Sequence, residues 1–270
     1  MKIIYMGTPE FAVPALEALI ENKHEILLVV TQPDKQKGRG KKVLFPPVKE
    51  IAVEHNIPVL QPLKVKAPEV VEELKQYQPD LIVVAAFGQI LSKEILELPK
   101  YGCINIHASL LPAYRGAAPI QWAVINGEEK AGVTTMQMDV GLDTGDMLLQ
   151  KELVPERKET YGTLQEKLSH LGAELLLETM EKLEEGSLVR TPQEESASSY
   201  AKMMTKEMGN IDFNRPAEET ERLIRGLHPW PSAYTSLHGK TLKIWDADVV
   251  TAQEINLQED ETAVPGQVVS

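Results

Sequence analysis

Lys2-Ile3-Ile4-Tyr5-Met6-Gly7-Thr8-Pro9-Glu10-Phe11, continued by Pro14-Ala15-Leu16-Glu17-Ala18-Leu19-Ile20-Glu21 and then Glu25-Ile26-Leu27-Leu28-Val29-Val30-Thr31, sets the architecture of the chain. The first run is short and apolar and breaks at a Gly-Thr-Pro turn. The second carries apolar residues at helical spacing, with a proline near its start where a missing N–H costs least. The third is rich in β-branched residues and reads as a second strand. Strand, turn, helix and strand in this order make one parallel crossover.

The same alternation extends outward. Helices are expected over Pro47–His55 and Glu69–Gln76, and strands near Val59-Leu60 and over Leu81–Phe87 and Cys103–His107. The fold class is therefore α/β, a Rossmann-like, mostly parallel sheet with helices on both faces. Ala117–Asn126 reads as a further helix ended at Asn126-Gly127. Val133–Asp139 and Met147–Leu153 are joined too tightly for a helical crossover, so they should pair antiparallel. A long helix from Thr163 to about Glu185, with Leu164, Leu168, Leu171, Leu175 and Leu183 on one stripe, stops at Gly186.

Arg190-Thr191-Pro192-Gln193-Glu194-Glu195-Ser196-Ala197-Ser198-Ser199 has no periodic apolar face and reads as a polar connector. The expected division is a catalytic domain over 1–189, a linker over 190–208 and a second domain over 209–270. The second domain shows a helix over Ala217–Arg225, strands over Ala233–Leu237 and Thr241–Trp245 about a His238-Gly239 turn, and a closing Pro265–Val269 run. It resembles the opening of a small β-barrel.

The 270 residues are 43% hydrophobic and 25% charged, an ordinary globular composition. The longest apolar run, Leu81–Phe87, falls far short of the roughly eighteen residues that span a bilayer, so no membrane partner is expected. A single cysteine, Cys103, forbids an internal disulfide and suits a reducing cytoplasm. With 28 basic and 40 acidic side chains the net charge is -12, which excludes a generic nucleic-acid binder. The local exception is the basic cluster Lys35, Lys37, Arg39, Lys41 and Lys42, which without other information reads as a solvated turn. No repeat or heptad marks assembly, so a monomer is the default.

The turn after the first strand lacks the G-x-G-x-x-G spacing, which disfavours a nicotinamide or flavin enzyme. Asn105 and His107, two apart on an extended chain, leave the strand on one face near its carboxyl end. A strand histidine is commonly structural, and the neighbouring Asn105 is what makes this one a candidate. Asp139-Val140-Gly141-Leu142-Asp143-Thr144-Gly145-Asp146 concentrates three carboxylates in one turn. Its spacing is not that of a calcium loop, and no H-E-x-x-H, C-x-x-C or G-x-S-x-G occurs, so no metal is expected. Asn, His and Asp without a nucleophile suit a reaction whose substrates supply both nucleophile and electrophile. Acyl transfer to an amine fits, with Asn105 and a protonated His107 facing the oxyanion and Asp143 holding the imidazole and relaying the amine proton.

The motifs Gly7–Pro14, Gln32-Pro33-Asp34-Lys35 with Gly38–Lys42, Phe87–Leu91, Asn105–Pro112, Tyr114–Ile120, Gly141–Asp146 and His228–Ala233 together resemble those of the methionyl-tRNA formyltransferase family. Singly, the Asn-x-His and the later Asp match only the wider class of enzymes using 10-formyltetrahydrofolate. The family resemblance implies formyl transfer from 10-formyltetrahydrofolate to the α-amino group of methionyl initiator tRNA, in translation initiation. It implies Asn105, His107 and Asp143 as the catalytic trio. Ser109, Leu110, Leu111 and Pro112 correspond to a folate-contacting loop, with Phe87, Gly88, Gln89, Ile90, Leu91, Val140, Gly141 and Leu142 lining the pterin pocket. The cluster Lys35, Lys37, Arg39, Lys41 and Lys42 then corresponds to an insertion that meets the tRNA acceptor end, which reconciles an acidic chain with an anionic partner. The resemblance also implies an oligonucleotide-binding (OB-like) barrel continuing beyond Ser270, so 209–270 is expected to be an incomplete barrel. Two rivals remain open: a small amine acceptor such as glycinamide ribonucleotide or a nucleotide amino sugar, and a non-catalytic folate- or RNA-binding module.

Overall fold

The computed structural model describes residues 1–37, 42–251, 254 and 264–268. In chain order the elements are β1 (Lys2–Gly7), α1 (Val13–Glu21), β2 (Glu25–Val30), β3 (Lys35–Lys37), β4 (Lys42–Leu44), α2 (Pro47–Glu54), β5 (Val59–Leu60), α3 (Pro68–Gln76), β6 (Leu81–Ala85), α4 (Lys93–Leu96), β7 (Cys103–His107), β8 (Arg115–Gly116), α5 (Pro119–Asn126), β9 (Ala131–Gln137), β10 (Met147–Leu153), α6 (Tyr161–Glu185), β11 (Tyr200–Ala201), α7 (Ala217–Gly226), β12 (Ala233–Leu237) and β13 (Lys240–Ile244). α1, α2, α3 and α5 carry proline in their first turn.

Seven strands form the main sheet in the order β10-β9-β7-β6-β1-β2-β5. The pairs from β5 through β7 are parallel and β7–β9 is antiparallel. Thr135 meets Leu149, and Gln137 meets Asp146, so β9 and β10 also run oppositely, as their tight connection requires. Both faces of the parallel part are buried. On one, Ile4, Met6, Val30, Ile82 and Val84 pack with Val70 and Leu74 of α3 and Ile95 of α4. On the other, Ile3, Tyr5, Val29, Leu81 and Val83 are fully enclosed. Strands enclosed on both faces read as unbroken apolar runs, the pattern seen in Leu81–Ala85.

α6 lies on the β7–β9 part of the sheet. A Cβ placed on Gly172 would stand 2.8 Å from Ile106 Cγ2, and the Thr179 and Thr135 hydroxyls bond at 2.8 Å. The helix is buried through Leu164, Leu168, Leu175, Leu176 and Met180, while Leu171 and Leu183 are only half-buried.

The chain divides into two compact units. The first comprises Met1–Gly116, Gly132–Leu153 and Gln165–Tyr200, and the second Ala117–Ala131, Val154–Leu164 and Ala201–Ser270. The grouping is by space rather than chain order. The stretch read as a polar connector is bonded into the first unit: Thr191 and Met147 exchange two backbone hydrogen bonds at 2.9 Å, and Arg115 N–H donates to Ser199 O at 2.8 Å. Its polar residues serve as partners for the sheet's outer strand, so they need no apolar face.

In the second unit α5 packs on α7, where Gly226 leaves no room for a side chain beside Ile125. β12 and β13 form an antiparallel hairpin whose turn residues, His238 and Gly239, have φ of 49° and 73°, as a tight primed turn demands. Among the described residues that hairpin carries the unit's paired strands, and Pro265-Gly266 is a turn rather than a strand; Val269 lies outside the described residues. Lys35, Lys37 and Lys42 of the basic cluster belong to another antiparallel hairpin, β3–β4, with Lys35 exposed; Arg39 and Lys41 lie outside the described residues.

Candidate active site

Alternation along β7 sorts its side chains. Ile104 and Ile106 face α6, so Asn105 and His107 share the opposite face, 9% and 6% exposed. Asn105 pairs with Val84 on one side and Met136 on the other, and His107 with Thr134, so rigid strands flank both. No hydrogen bond engages the Asn105 side-chain amide among the described residues, which leaves it available to a ligand.

The His107 Nε2 atom lies 2.9 Å from Tyr114 O. A carbonyl only accepts, so Nε2 carries the hydrogen and Nδ1 is the nitrogen left for proton exchange. Nδ1 faces the Asp143 carboxylate at 3.8 Å. This gap is too wide for a direct hydrogen bond, yet it lets a single polar atom to one side bond both groups.

Asp143 sits at φ 53°, a left-handed conformation that an aspartate adopts more readily than most residues. Its Oδ2 accepts from Gly116 N–H at 2.8 Å. The Gln193 amide nitrogen donates to Asp143 O and Gly145 O, both at 2.8 Å. Gly145 is required by close approach, since any side chain there would strike Gln137 O. The three carboxylates of this turn have different work. Asp139 braces the loop, accepting from Thr144 Oγ1 at 2.8 Å and Gly141 N–H at 3.0 Å. Asp146 uses its backbone carbonyl to hold Gln137 N–H, and Asp143 alone is shown against the histidine. No group of three or more potential metal ligands occurs among the described residues.

The Ser109–Pro112 loop is pinned from the sheet. Thr134 Oγ1 donates to Ser109 O at 2.7 Å and accepts from Leu111 N–H at 3.1 Å, while Gln150 Nε2 donates to Leu111 O at 2.8 Å. Ser109 spends its own hydroxyl on Ala113 O at 2.6 Å, Leu111 is buried, and Leu110 packs over Gly132. The loop's shape is thus fixed, and Pro112 stays partly exposed.

The Phe87–Leu91 segment divides. Phe87 and Leu91 belong to the apolar core. Gln89 is turned to the chain before α3, accepting from Val65 N–H at 2.7 Å and donating to Pro62 O at 3.0 Å. Gly88 and Ile90 are exposed, Ile90 at 73%. Val140 and Leu142 stand out at 72% and 52%, unusual for such side chains and available to an apolar ring. The turn after β1 is tied to this edge, because Thr8 Oγ1 and Gln32 Nε2 both donate to Phe87 O at 3.1 Å. Cys103 is no nucleophile: burial pushes its thiol up to about 12.

Sequence reasoning passed over Thr134, Gln150 and Gln193, which with Arg115 hold the two loops. Their bonds reach groups far along the chain and leave no local pattern.

The protein-family model described as formyl transferase matches residues 1–180, and that of the formyl transferase C-terminal domain matches residues 203–270. The methionyl-tRNA formyltransferase of Lachnospira eligens is 55% identical over 270 residues, covering 100% of this chain and 85% of its own. That of Caldanaerobacter subterraneus subsp. tengcongensis is 58% identical over 251 residues, covering 93% of this chain and 81% of its own. Among solved structures, the N-formyltransferase of Helicobacter canadensis in complex with folinic acid and dTDP-3-aminofucose superposes with a TM-score of 0.70 at 22% identity, over 91% of this chain and 86% of that one. A sheet that ends in Asn105, His107 and a facing Asp143, with both family models matched in order and more than half of all positions shared with these bacterial relatives, places the chain in the formyl transferase family, among the methionyl-tRNA formyltransferases.

Proposed function

We propose that this chain transfers the formyl group of 10-formyltetrahydrofolate to the α-amino group of methionyl initiator tRNA, with Asn105, His107 and Asp143 as the catalytic residues. The observation that carries the reading is the His107–Asp143 pair, with Nδ1 facing the carboxylate and Nε2 committed to Tyr114 O. The neutral amine attacks the formyl carbon and forms a C–N bond. The formyl oxygen gathers negative charge, and the Asn105 amide supplies a donor that no group has claimed among the described residues. The amine's proton leaves through the gap between Asp143 Oδ1 and His107 Nδ1. The intermediate collapses by breaking the bond to folate N10, which takes up a proton, so no charge or atom is left over.

The donor would lie along Ser109, Leu110, Leu111 and Pro112, with Gly88, Ile90, Val140, Gly141 and Leu142 bordering the pterin. Phe87, Gln89 and Leu91 support that border from behind. Lys35, Lys37, Arg39, Lys41 and Lys42 would meet tRNA phosphates, and 209–270 would supply an OB-like surface beside the acceptor stem. The activity belongs to the cytoplasm, where a buried lone thiol needs no partner.

The test is single-turnover transfer of labelled formyl, offering charged initiator tRNA beside a mixture of small amines. Transfer to methionyl-tRNA is the expected result; transfer only to a small amine would overturn the acceptor and keep the chemistry. Charge reversal at Arg39 should raise the KM for tRNA and flatten its salt dependence while sparing the donor. An unchanged tRNA KM would remove the hairpin from the interface.

A further inference from the structure

The polar stretch after α6 brings one side chain to the loop of the proposed catalytic aspartate. Gln193 is half-buried, and its amide nitrogen bonds two carbonyls of one loop, Asp143 O and Gly145 O, at 2.8 Å each. Its amide oxygen accepts from Arg115 Nε at 2.9 Å. Arg115 is 7% exposed and is held in turn by Glu195 Oε2 at 2.8 Å. An amide whose oxygen is claimed by a guanidinium can turn only its NH2 to the loop, so Arg115 fixes which end of Gln193 meets Asp143. Gly116, next to Arg115, donates its N–H to the Asp143 carboxylate at 2.8 Å. One segment therefore holds the aspartate at both ends: the side chain through Gly116 and the backbone through Arg115 and Gln193.

Asp143 needs that support. At φ 53° it occupies a region that an aspartate tolerates but fills less often than the right-handed one, so the bonds around it help to keep it there. With the carbonyl released, the peptide can relax toward a more populated conformation, and the carboxylate swings from its place 3.8 Å from His107 Nδ1.

We propose that Gln193 is a positioning residue for formyl transfer, acting through Asp143 and oriented by Arg115. The proposal rests on the reading of Asp143 as catalytic. Gln193→Leu removes the amide and keeps comparable bulk, and Gln193→Glu keeps the acceptor for Arg115 but faces the two carbonyls with an oxygen. Each should lower single-turnover transfer on the order of 10- to 100-fold, the loss that a displacement near 1 Å brings. Donor affinity, read by equilibrium titration with 10-formyltetrahydrofolate, and the KM for methionyl-tRNA should stay within about twofold, because the Gln193 amide is spent on Asp143 O, Gly145 O and Arg115.

The deciding arm is a cycle with Asp143→Asn. If Gln193 works through the carboxylate, Gln193→Leu costs little in the Asp143→Asn background. Equal losses in both backgrounds would overturn the proposal, as would normal transfer by both Gln193 variants. If Asp143→Asn itself transfers normally, the catalytic reading of Asp143 has failed, a result separate from failure of Gln193. Should Gln193→Leu not fold, Gln193→Glu in the same cycle decides.

Discussion

Replacing Asp143 by Asn leaves an oxygen to accept from Gly116 N–H and a residue tolerant of φ 53°, so the loop keeps its path. What disappears is one negative charge 3.8 Å from His107 Nδ1, between side chains 7% and 14% exposed. Two unit charges at that separation, in the effective dielectric of about 20 that suits protein sites, interact by about 4 kcal/mol. The attraction exists only while the ring or the attacking nitrogen is positive, so the loss falls on the transition state and not on donor binding. At about 1.4 kcal/mol per factor of ten, turnover should fall by roughly three orders of magnitude. The assay is single-turnover formyl transfer at saturating donor and methionyl-tRNA, with donor affinity measured separately. Turnover within about tenfold of the parent, about a third of that barrier, would refute the electrostatic argument. A loss confined to donor affinity would refute it equally.

Thr134→Val preserves shape but strips the hydroxyl that joins Ser109 O, Leu111 N–H and Gln150 Nε2, leaving buried groups unpaired at about 1–3 kcal/mol. Donor KM should rise while kcat holds within a few-fold, and steady-state kinetics at varied donor would show it; an unchanged donor KM would remove the 109–112 loop from the donor site. Gly226→Ala forces a methyl against Ile125 and should destabilise the α5–α7 contact by about 1–3 kcal/mol, read as a lowered thermal midpoint. Asp34 accepts from Lys49 Nζ at 2.7 Å and from Gln61, and these bonds hold its carboxyl below the usual aspartate range. A depressed acid adds stability that is present above its unfolded pKa and lost as pH falls through the folded one. Asp34→Asn should therefore cost stability at pH 7 and progressively less in acid, as urea denaturation at both pH values would reveal.

The parallel half of the sheet was legible because burial on both faces and helical spacing leave strong periodic marks, as in Ile3–Met6 and Leu81–Ala85. The antiparallel turn of β9 and β10 followed from chain length alone. β3–β4 was not legible, since Lys35-Gln36-Lys37 has no apolar alternation and its pairing depends on the chain turning back. α4 escaped as a single turn. Within the site, the spacing of Asn105 and His107 gave their common face, but nothing local distinguished Asp139, which braces the loop, from Asp143, which faces the ring. The supports from Thr134, Gln150 and Gln193 span 16 to 78 residues or meet backbone atoms, and such bonds are written in the fold rather than in any short motif.

The bond from Gly116 N–H to Asp143 Oδ2 has a practical consequence. An amide proton held by a carboxylate resonates well downfield of one facing water, and it exchanges with deuterium only when that bond opens. Gly116 is thus a native spectroscopic probe seated against the aspartate, needing no dye, analogue or turnover. Its resonance would tell whether a variant, a temperature or a bound donor has moved the carboxylate, separating an enzyme that is misaligned from one that is merely unfolded.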